Sequence, residues 1–172
     1  MPVEVRGAAD FASKPWRNGL GQTTELAREG GEDEFVWRIS RAAVTQHGPF
    51  SAFPHIDRIL VLLSGAGLIF DFGGGGVVKL SELFGSMAFA GDVPVHCTLV
   101  DGPCQDLNIM VDRRWGSAQI FWHRGDGQAV CAAASVFCAL DGRWRVNGQA
   151  LEPGGVAVAR DEEAVSVRQD GG

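Results

Sequence analysis

The chain has 172 residues and a formal charge of −6, from 15 Lys+Arg against 21 Asp+Glu. This acidic balance excludes a surface that displaces counterions from nucleic acid or that binds an anionic membrane. Because 45% of the residues are hydrophobic and 21% are charged, the composition is typical of a globular chain. Thirteen of the fifteen basic residues are Arg. This excess indicates either a codon bias or arginines that bind a carboxylate.

The N-terminal residues show no basic start followed by an apolar run, so we expect no signal peptide. The longest aliphatic run, at 59–63, is five residues, whereas a membrane-spanning helix needs about 20. We therefore expect a soluble, cytoplasmic protein. The cysteines stand at 97, 104, 131 and 138. Their spacing is wider than that of a zinc site, and we expect buried thiols rather than disulfides.

Short apolar runs separated by Gly and Pro indicate an all-β chain with almost no helical periodicity. In chain order, the predicted strands cover residues 34–44, 58–63, 66–72, 76–80, 86–90, 94–100, 105–112, 118–122, 129–140, 143–146, 155–159 and 164–168. The segment 81–84 hints at one turn of helix. Asn147-Gly148 predicts a two-residue hairpin turn.

A cadence of strand, glycine turn and strand occurs twice, over 62–95 and again over 138–156. This repetition is typical of the cupin-type double-stranded β-helix, a relative of the jelly roll. We predict an all-β, bicupin-like fold of this kind with little helix. It would form a single domain over 1–172, built from two cupin-like halves of about 1–115 and 116–172.

A metal-binding cupin carries His-x-His, then Glu three or four residues later, then Gly after six more. If Gly65 is that glycine, the glutamate position falls on Arg58. The histidine positions fall on 52 and 54 or on 51 and 53, and none of these holds a ligand. A guanidinium repels a divalent cation and offers a carboxylate two parallel donors. We therefore predict a site without a metal and without a cofactor.

Polar residues concentrate in three segments, of which the first places Trp16, Arg17 and Asn18 before a glycine-rich bend. In the strand-like stretch that follows, Thr23 and Glu25 share one face because side chains alternate along a strand. An indole, a guanidinium and an amide side by side are typical of a binding loop. A solvent-exposed loop anchored by one Trp is the alternative.

The second segment alternates, so that Trp37 and Ile39 share one face while Arg38 and Ser40 share the other. It continues through a Pro- and Phe-rich stretch to Arg58. We interpret Arg38 as a residue that binds the carboxylate of a ligand, and the alternative is that it lies on the solvent face.

In the third segment, Asp106, Asn108 and Met110 share one face, and the residues between them are apolar and indicate core. An Asn on the inside of a barrel can orient a ligand through its amide. A hydrogen-bonded core amide is an equally good interpretation.

These segments carry a resemblance to a known family. The motifs are Trp-Arg-Asn-Gly-x-Gly-x-Thr-x-Glu at 16–25, Trp-Arg-Ile-Ser at 37–40, Gly-Pro-Phe-Ser-x-Phe-Pro-x-x-Asp-Arg at 48–58 and Gly-Pro-x-x-Asp-Leu-Asn-x-Met at 102–110. In this order, from 14 to about 115, they resemble the HutD/Ves family, with Leu20 where that family commonly has glycine. The resemblance implies a bicupin fold without metal histidines and an accessory or regulatory role in histidine utilisation. It also implies N-formylglutamate as the ligand.

We predict a small-molecule carboxylate as the partner, neither nucleic acid nor membrane, and leave a homodimer open. The candidate ligand-binding residues are Trp16, Arg17, Asn18, Thr23, Glu25, Trp37, Arg38, Ser40, Arg58, Asn108 and Met110. We favour binding over catalysis. The alternative is a metal-free cupin isomerase or hydrolase with Glu25 as general base and Arg58 on the developing oxyanion. A structural partner of other pathway proteins is a third hypothesis.

Overall fold

Antiparallel strands make up most of the computed structural model, which describes residues 3–171. The strands of the N-terminal part are β1 (Glu4–Arg6), β2 (Ser13–Pro15), β3 (Gly21–Gly30), β4 (Phe35–Val44), β5 (Gly48–Phe50), β6 (Ile56–Ser64), β7 (Leu68–Asp71), β8 (Val77–Leu80) and β9 (Ser86–Ala90). They are followed by β10 (Val95–Leu99), β11 (Cys104–Asp112), β12 (Gly127–Val130), β13 (Ala134–Cys138), β14 (Arg143–Val146), β15 (Gln149–Leu151), β16 (Val156–Arg160) and β17 (Ala164–Asp170). Two single 3₁₀ turns, Ala8–Asp10 and Gly73–Gly75, are the helical elements of the described residues.

The chain forms two compact units. One is Ala12–Gln119, and the other combines the described residues up to Phe11 with those from Ile120 onward. The N-terminal strand β1 therefore belongs to the second unit, where it pairs with β16. The division of one domain into two cupin-like halves stays a prediction. Residues 1, 2 and 172 of that predicted domain lie outside the residues that the structure describes.

The unit Ala12–Gln119 is built from two sheets. A six-stranded sheet has the order β2-β3-β4-β11-β6-β9, and a four-stranded sheet has the order β5-β10-β7-β8. Inward-facing side chains of both sheets form one core, which comprises Val44, Leu60, Leu62, Leu68, Phe70, Leu80, Val95, Cys97 and Cys104. Within the six-stranded sheet, β11 is paired on one side with β4 and on the other with β6. These three strands form a framework on which a site can be placed.

The second unit contains a three-stranded sheet, β1-β16-β13, and a four-stranded sheet, β12-β17-β14-β15. Its core consists of small and β-branched side chains, among them Val146, Ala157, Ala159 and Val165. The hairpin predicted at Asn147-Gly148 is confirmed, because Val146 pairs with Gln149 across it. Asn147 and Gly148 have φ values of 47° and 79°, as a turn with two left-handed residues requires.

Three sequence predictions of local structure are wrong. Residues 118–122 form no strand, and the predicted strand 129–140 is two strands, β12 and β13, separated by an irregular break. The segment 81–84 forms a turn rather than a helix. Each prediction was based on the apolar residues or the periodicity of a short stretch of sequence. Whether such a stretch becomes a strand depends on partners in other strands, and these are not visible in the local sequence.

Two of the cysteines are buried, Cys97 and Cys104, whereas Cys131 and Cys138 are partly exposed, and none of the four forms a disulfide. Among residues 3–171, no helix has the length and apolar character needed to cross a membrane.

Gly65, the glycine from which the cupin spacing was counted, directly follows β6 and has a φ of +98°. A Cβ at this position would lie 2.6 Å from the Pro103 carbonyl oxygen and 2.6 Å from the Cys104 Sγ. We expect Gly65→Ala to destabilise the protein by about 2 kcal/mol or more, from backbone strain plus overlap with β11. Gly102→Ala is the matched control, since φ is +70° but no atom lies within 4 Å. Equal losses for both variants in urea unfolding would contradict the overlap argument.

Candidate functional site

A cavity of about 140 Å³ lies within the unit Ala12–Gln119. The six-stranded sheet contributes most of the wall, with Thr23 from β3, Arg38, Ser40 and Ala42 from β4, Asp106 and Asn108 from β11, and Arg58 from β6. The remaining wall consists of Trp16, Phe50, Ser51 and Phe53. Small ligands bind in concave sites of this kind, in which apolar walls surround a few polar groups.

The register of three adjacent strands explains why these side chains converge. Met110 on β11 lies opposite Arg38 on β4 and opposite Arg58 on β6. Directly paired residues project from the same face of a sheet, so the two arginines flank one position from either side. Asn108 is likewise paired with Ser40. The alternation predicted for Arg38 with Ser40 therefore leads both into the cavity.

Arg58 is buried at 4% exposure. Its Nε donates a hydrogen bond of 3.4 Å to Asn108 Oδ1, and its guanidinium lies 5.1–5.5 Å from the ring centroids of Phe50, Phe53 and Phe89. Burial lowers its pKa to about 10, and the neighbouring Asp106 charge acts in the opposite direction. Three aromatic faces stabilise the cation, yet they satisfy few of its five N–H donors.

Arg38 is the second cation of the cavity wall. It lies 4.7 Å from the Phe35 ring centroid, and its Nη2 donates to Met110 Sδ at 3.2 Å. Its buried Nε has no hydrogen-bond partner. Burial lowers its pKa, while Glu25 on β3 raises it. Within residues 3–171, no carboxylate oxygen comes within 4.0 Å of the guanidinium nitrogens of Arg38 or Arg58.

Asp106 is the acidic group of the cavity wall, with 1% exposure. Both of its carboxyl oxygens are buried without a hydrogen-bond partner. Burial raises the pKa of Asp106 to about 7, although the Arg58 charge draws it downward. A buried carboxyl group without hydrogen-bond partners is uncommon in folded proteins and is typical of functional sites.

Trp16 closes one side of the cavity. Its indole N–H donates to Thr23 Oγ1 at 2.7 Å, and its ring packs edge-to-face against Phe50 with centroids 5.6 Å apart. Gly21 permits this packing, because a Cβ there would lie 3.3 Å from the indole and 2.4 Å from a backbone oxygen. Leu20, the departure from the family motif, packs directly over Gly48.

Six of the sequence-predicted site residues line this cavity: Trp16, Thr23, Arg38, Ser40, Arg58 and Asn108. Met110 contacts the site through the Arg38 side chain. The other four do not line it. Arg17 and Asn18 are exposed in the bend, where the Asn18 Oδ1 accepts a hydrogen bond from the Leu20 N–H.

Glu25 and Trp37 lie outside the cavity for different reasons. Glu25 forms an ion pair with Arg28, with 3.5 Å between Oε1 and Nε, near the partly exposed edge of the site. Trp37 alternates with Arg38 and therefore projects from the opposite face of β4. The indole expected to wall the cavity beside Arg38 is replaced there by Phe50 and Phe53.

Sequence reasoning missed five lining residues: Ala42, Phe50, Ser51, Phe53 and Asp106. The signals were present. Asp106 shares its strand face with Asn108, and Ser51 and Phe53 are one of the two pairs of positions at which the cupin spacing from Gly65 places metal histidines. With that pair, the cupin metal positions that line the cavity hold Ser, Phe and Arg. Among residues 3–171, no three His, Cys, Asp or Glu side chains group as metal ligands would.

The comparison with known families agrees with the motifs. The HutD family profile matches residues 8–172. The chain belongs to the HutD family. It is 34% identical over 136 residues to a Pseudomonas putida protein described as an uncharacterized 21.2 kDa protein in the hutC 3′ region, covering 78% of this chain and 71% of that protein. It is 32% identical to Protein Ves of Cronobacter sakazakii, covering 80% and 76%. Membership in the HutD family links the chain to histidine utilisation.

Solved structures confirm the predicted fold class. HutD from Pseudomonas fluorescens SBW25, solved in a formate condition, superposes with a TM-score of 0.85 at 26% identity and covers 98% of this chain and 94% of that one. The bacterial pirin YhhW of Escherichia coli gives a TM-score of 0.71 at 13% identity, covering 98% and 94%, and shows the fold alone. The chain is therefore all-β and bicupin-like.

Proposed function

We propose that this HutD-family protein binds a small carboxylate metabolite of histidine catabolism, such as N-formylglutamate, and acts as an accessory or regulatory protein. The cavity between β4, β11 and β6 would hold the ligand without a metal. The observation that carries the proposal is that two guanidinium groups, the buried Arg58 and the partly buried Arg38, face one cavity with no carboxylate oxygen of the described residues within 4.0 Å.

The physical argument concerns the cost of burying charge. Moving a guanidinium out of water is unfavourable by several kcal/mol unless an anion and hydrogen bonds compensate. A ligand carboxylate offers two oxygens to the fork of donors on each arginine. The Asn108 amide, already hydrogen-bonded to Arg58, has an N–H₂ group that can donate to a formyl or amide oxygen. The aromatic walls exclude water and so strengthen these contacts.

Calorimetry with N-formylglutamate, urocanate and glutamate tests the proposal. We expect measurable binding of at least one of them at millimolar concentration or below. Arg38→Met should weaken that binding by tenfold or more, since it removes one of the two cations. Arg41→Met is the matched control, because Arg41 lies on the same strand with its side chain on the opposite face. No heat with any ligand, or equal effects of the two variants, would contradict the proposal.

A further inference from the structure

The Asp106 carboxyl group is the one feature of the cavity that the binding of a carboxylate by two arginines does not explain. An ionised Asp106 would repel a carboxylate ligand, and burying its negative charge is unfavourable. Yet Asp106 faces the cavity from near the start of β11, and both of its oxygens lack a hydrogen-bond partner. A merely structural acid at this depth would be expected to accept hydrogen bonds from the surrounding protein.

The strands on either side supply no such partner. Asp106 pairs with Ala42 on β4 and with Leu62 on β6, so its immediate cross-strand neighbours on this face are apolar. The charged or titratable side chains that face or act on this part of the site are Arg58 from β6, Arg38 from β4, Glu25 from β3, Cys97 from β10 and Cys104 on β11 itself. Burial raises the pKa of the Cys97 thiol to about 12, so this thiol stays neutral near pH 7.

The charges inside the cavity are therefore two cations, Arg38 and Arg58, and one carboxyl group. With Asp106 ionised, a ligand that carries two carboxylates would leave one negative charge in the cavity without a compensating cation. With Asp106 protonated, the two guanidinium groups and the two ligand carboxylates balance. The protonated carboxyl also gains an O–H that can donate a short hydrogen bond to a carboxylate oxygen.

The geometry points to Asp106 as a ligand-binding residue that takes up one proton when a dicarboxylate enters the cavity. The protein would bind its ligand as a dianion together with a proton, and the proton would come from solvent. The O–H of the protonated Asp106 would face the ligand, while Arg38 and Arg58 each bind one of its carboxylates. This inference rests on the proposed function and adds the ligand's charge and the proton that accompanies it.

The pKa of Asp106 in the free protein supports this assignment. Because burial raises the pKa of Asp106 to about 7, the free protein holds the group partly ionised near neutral pH. Entry of two further negative charges favours the protonated form, so the pKa rises again in the complex. Uptake of a proton on binding makes the affinity fall as the pH rises above about 7, by roughly tenfold per pH unit.

The test is calorimetry with N-formylglutamate at pH 6 and pH 8, each in two buffers of different ionisation enthalpy. The carboxylates of this probe ionise far below pH 6, so the probe itself does not titrate. For wild type we expect binding about tenfold weaker at pH 8 than at pH 6, with close to one proton taken up per ligand at pH 8. Asp106→Asn, whose amide N–H can replace the carboxyl O–H as a donor, should bind with no proton uptake and no pH dependence over this range.

Asp101→Asn is the control for the change in net charge, because Asp101 is exposed in the turn before β11. It should keep both the proton uptake and the pH dependence of wild type. Binding of the probe by wild type without proton uptake would overturn the role of Asp106 and leave the proposed function standing. Proton uptake that persists in Asp106→Asn would also overturn it. Absence of binding at both pH values would overturn the inference together with carboxylate binding.

Discussion

Replacing Arg58 with Met is expected to reduce carboxylate binding by at least about 30-fold while leaving the fold as stable as wild type or more stable. The binding loss follows because Arg58 is the more deeply buried of the two cations. Truncating one partner of a buried charge pair weakens binding by about 2–5 kcal/mol. Calorimetry against the ligand that binds wild type measures this loss.

The stability side of this prediction comes from desolvation. Burial already lowers the pKa of Arg58 to about 10, which shows that the folded protein disfavours its charge. Met removes that charge, fills similar volume and packs well against aromatic rings such as Phe50 and Phe89. The loss of the hydrogen bond to Asn108 and of the aromatic contacts offsets part of the gain.

Replacing a buried ion pair by apolar side chains is often neutral or stabilising, by about 1–4 kcal/mol, whereas removing one partner of such a pair is destabilising. Because no carboxylate oxygen of the described residues lies within 4.0 Å of the Arg58 guanidinium, Met leaves no broken ion pair behind. We expect an equal or higher free energy of unfolding in urea, with Arg41→Met as the matched surface change on β4. A variant that loses binding and also unfolds would indicate that Arg58 serves the fold rather than a ligand. Binding within tenfold of wild type would remove Arg58 from the site.

Asp106→Asn is expected to abolish a pH-dependent loss of stability that amounts to about 4 kcal/mol between pH 4 and pH 8 in the wild-type protein without ligand. The folded-state pKa of Asp106 is raised to about 7 from an ordinary value of 3.8. Between these values the native state holds a proton that the unfolded state has released. Stability therefore falls as the pH rises from about 4 to about 7, and it is constant above that. A difference of about 3 pH units corresponds to the stated free energy.

The comparison of two variants isolates this effect from the other carboxylates. Urea unfolding at several pH values gives the difference in stability between Asp106→Asn and wild type, which should grow in favour of the variant as the pH rises. The attraction between Asp106 and Arg58 is already contained in the folded-state pKa of about 7, so it does not change the pH-dependent part of this difference. For Asp101→Asn the difference should not change with pH. If the difference in free energy of unfolding between Asp106→Asn and wild type did not change with pH, the Asp106 carboxyl of the wild type would have to stay protonated or solvated over the whole range.

Much of the architecture follows from local pattern. Turn residues and short apolar runs predict an all-β chain, and Asn147-Gly148 specifies a hairpin because both positions tolerate left-handed backbone. Strict alternation along β4 and β11 placed Arg38 and Ser40, as well as Asp106 and Asn108, on the faces where the structure has them. Spacing counted from Gly65 assigned Arg58 to a cupin ligand position, and Arg58 lies in the cavity wall.

The tertiary structure decided which of these faces meet. Arg38, Arg58 and Asn108 converge because β4, β11 and β6 are neighbours in the sheet although they are far apart in the chain, and pairing of this kind has no local signature. Arg17 and Asn18 belong to the same motif as Trp16, yet the bend turns them to the surface while the indole packs against Phe50.

Burial is the other property that the strand pattern leaves open. Alternation identifies the face of Asp106, but only the packing of the two sheets of the unit shows that this carboxyl is removed from water and lacks a partner. The free energy of a charge depends on the solvent and the groups around it in three dimensions. For this protein, the sequence by itself determined the fold class and most polar residues of the cavity, whereas the tertiary structure decided which of them are desolvated and therefore able to bind charge strongly.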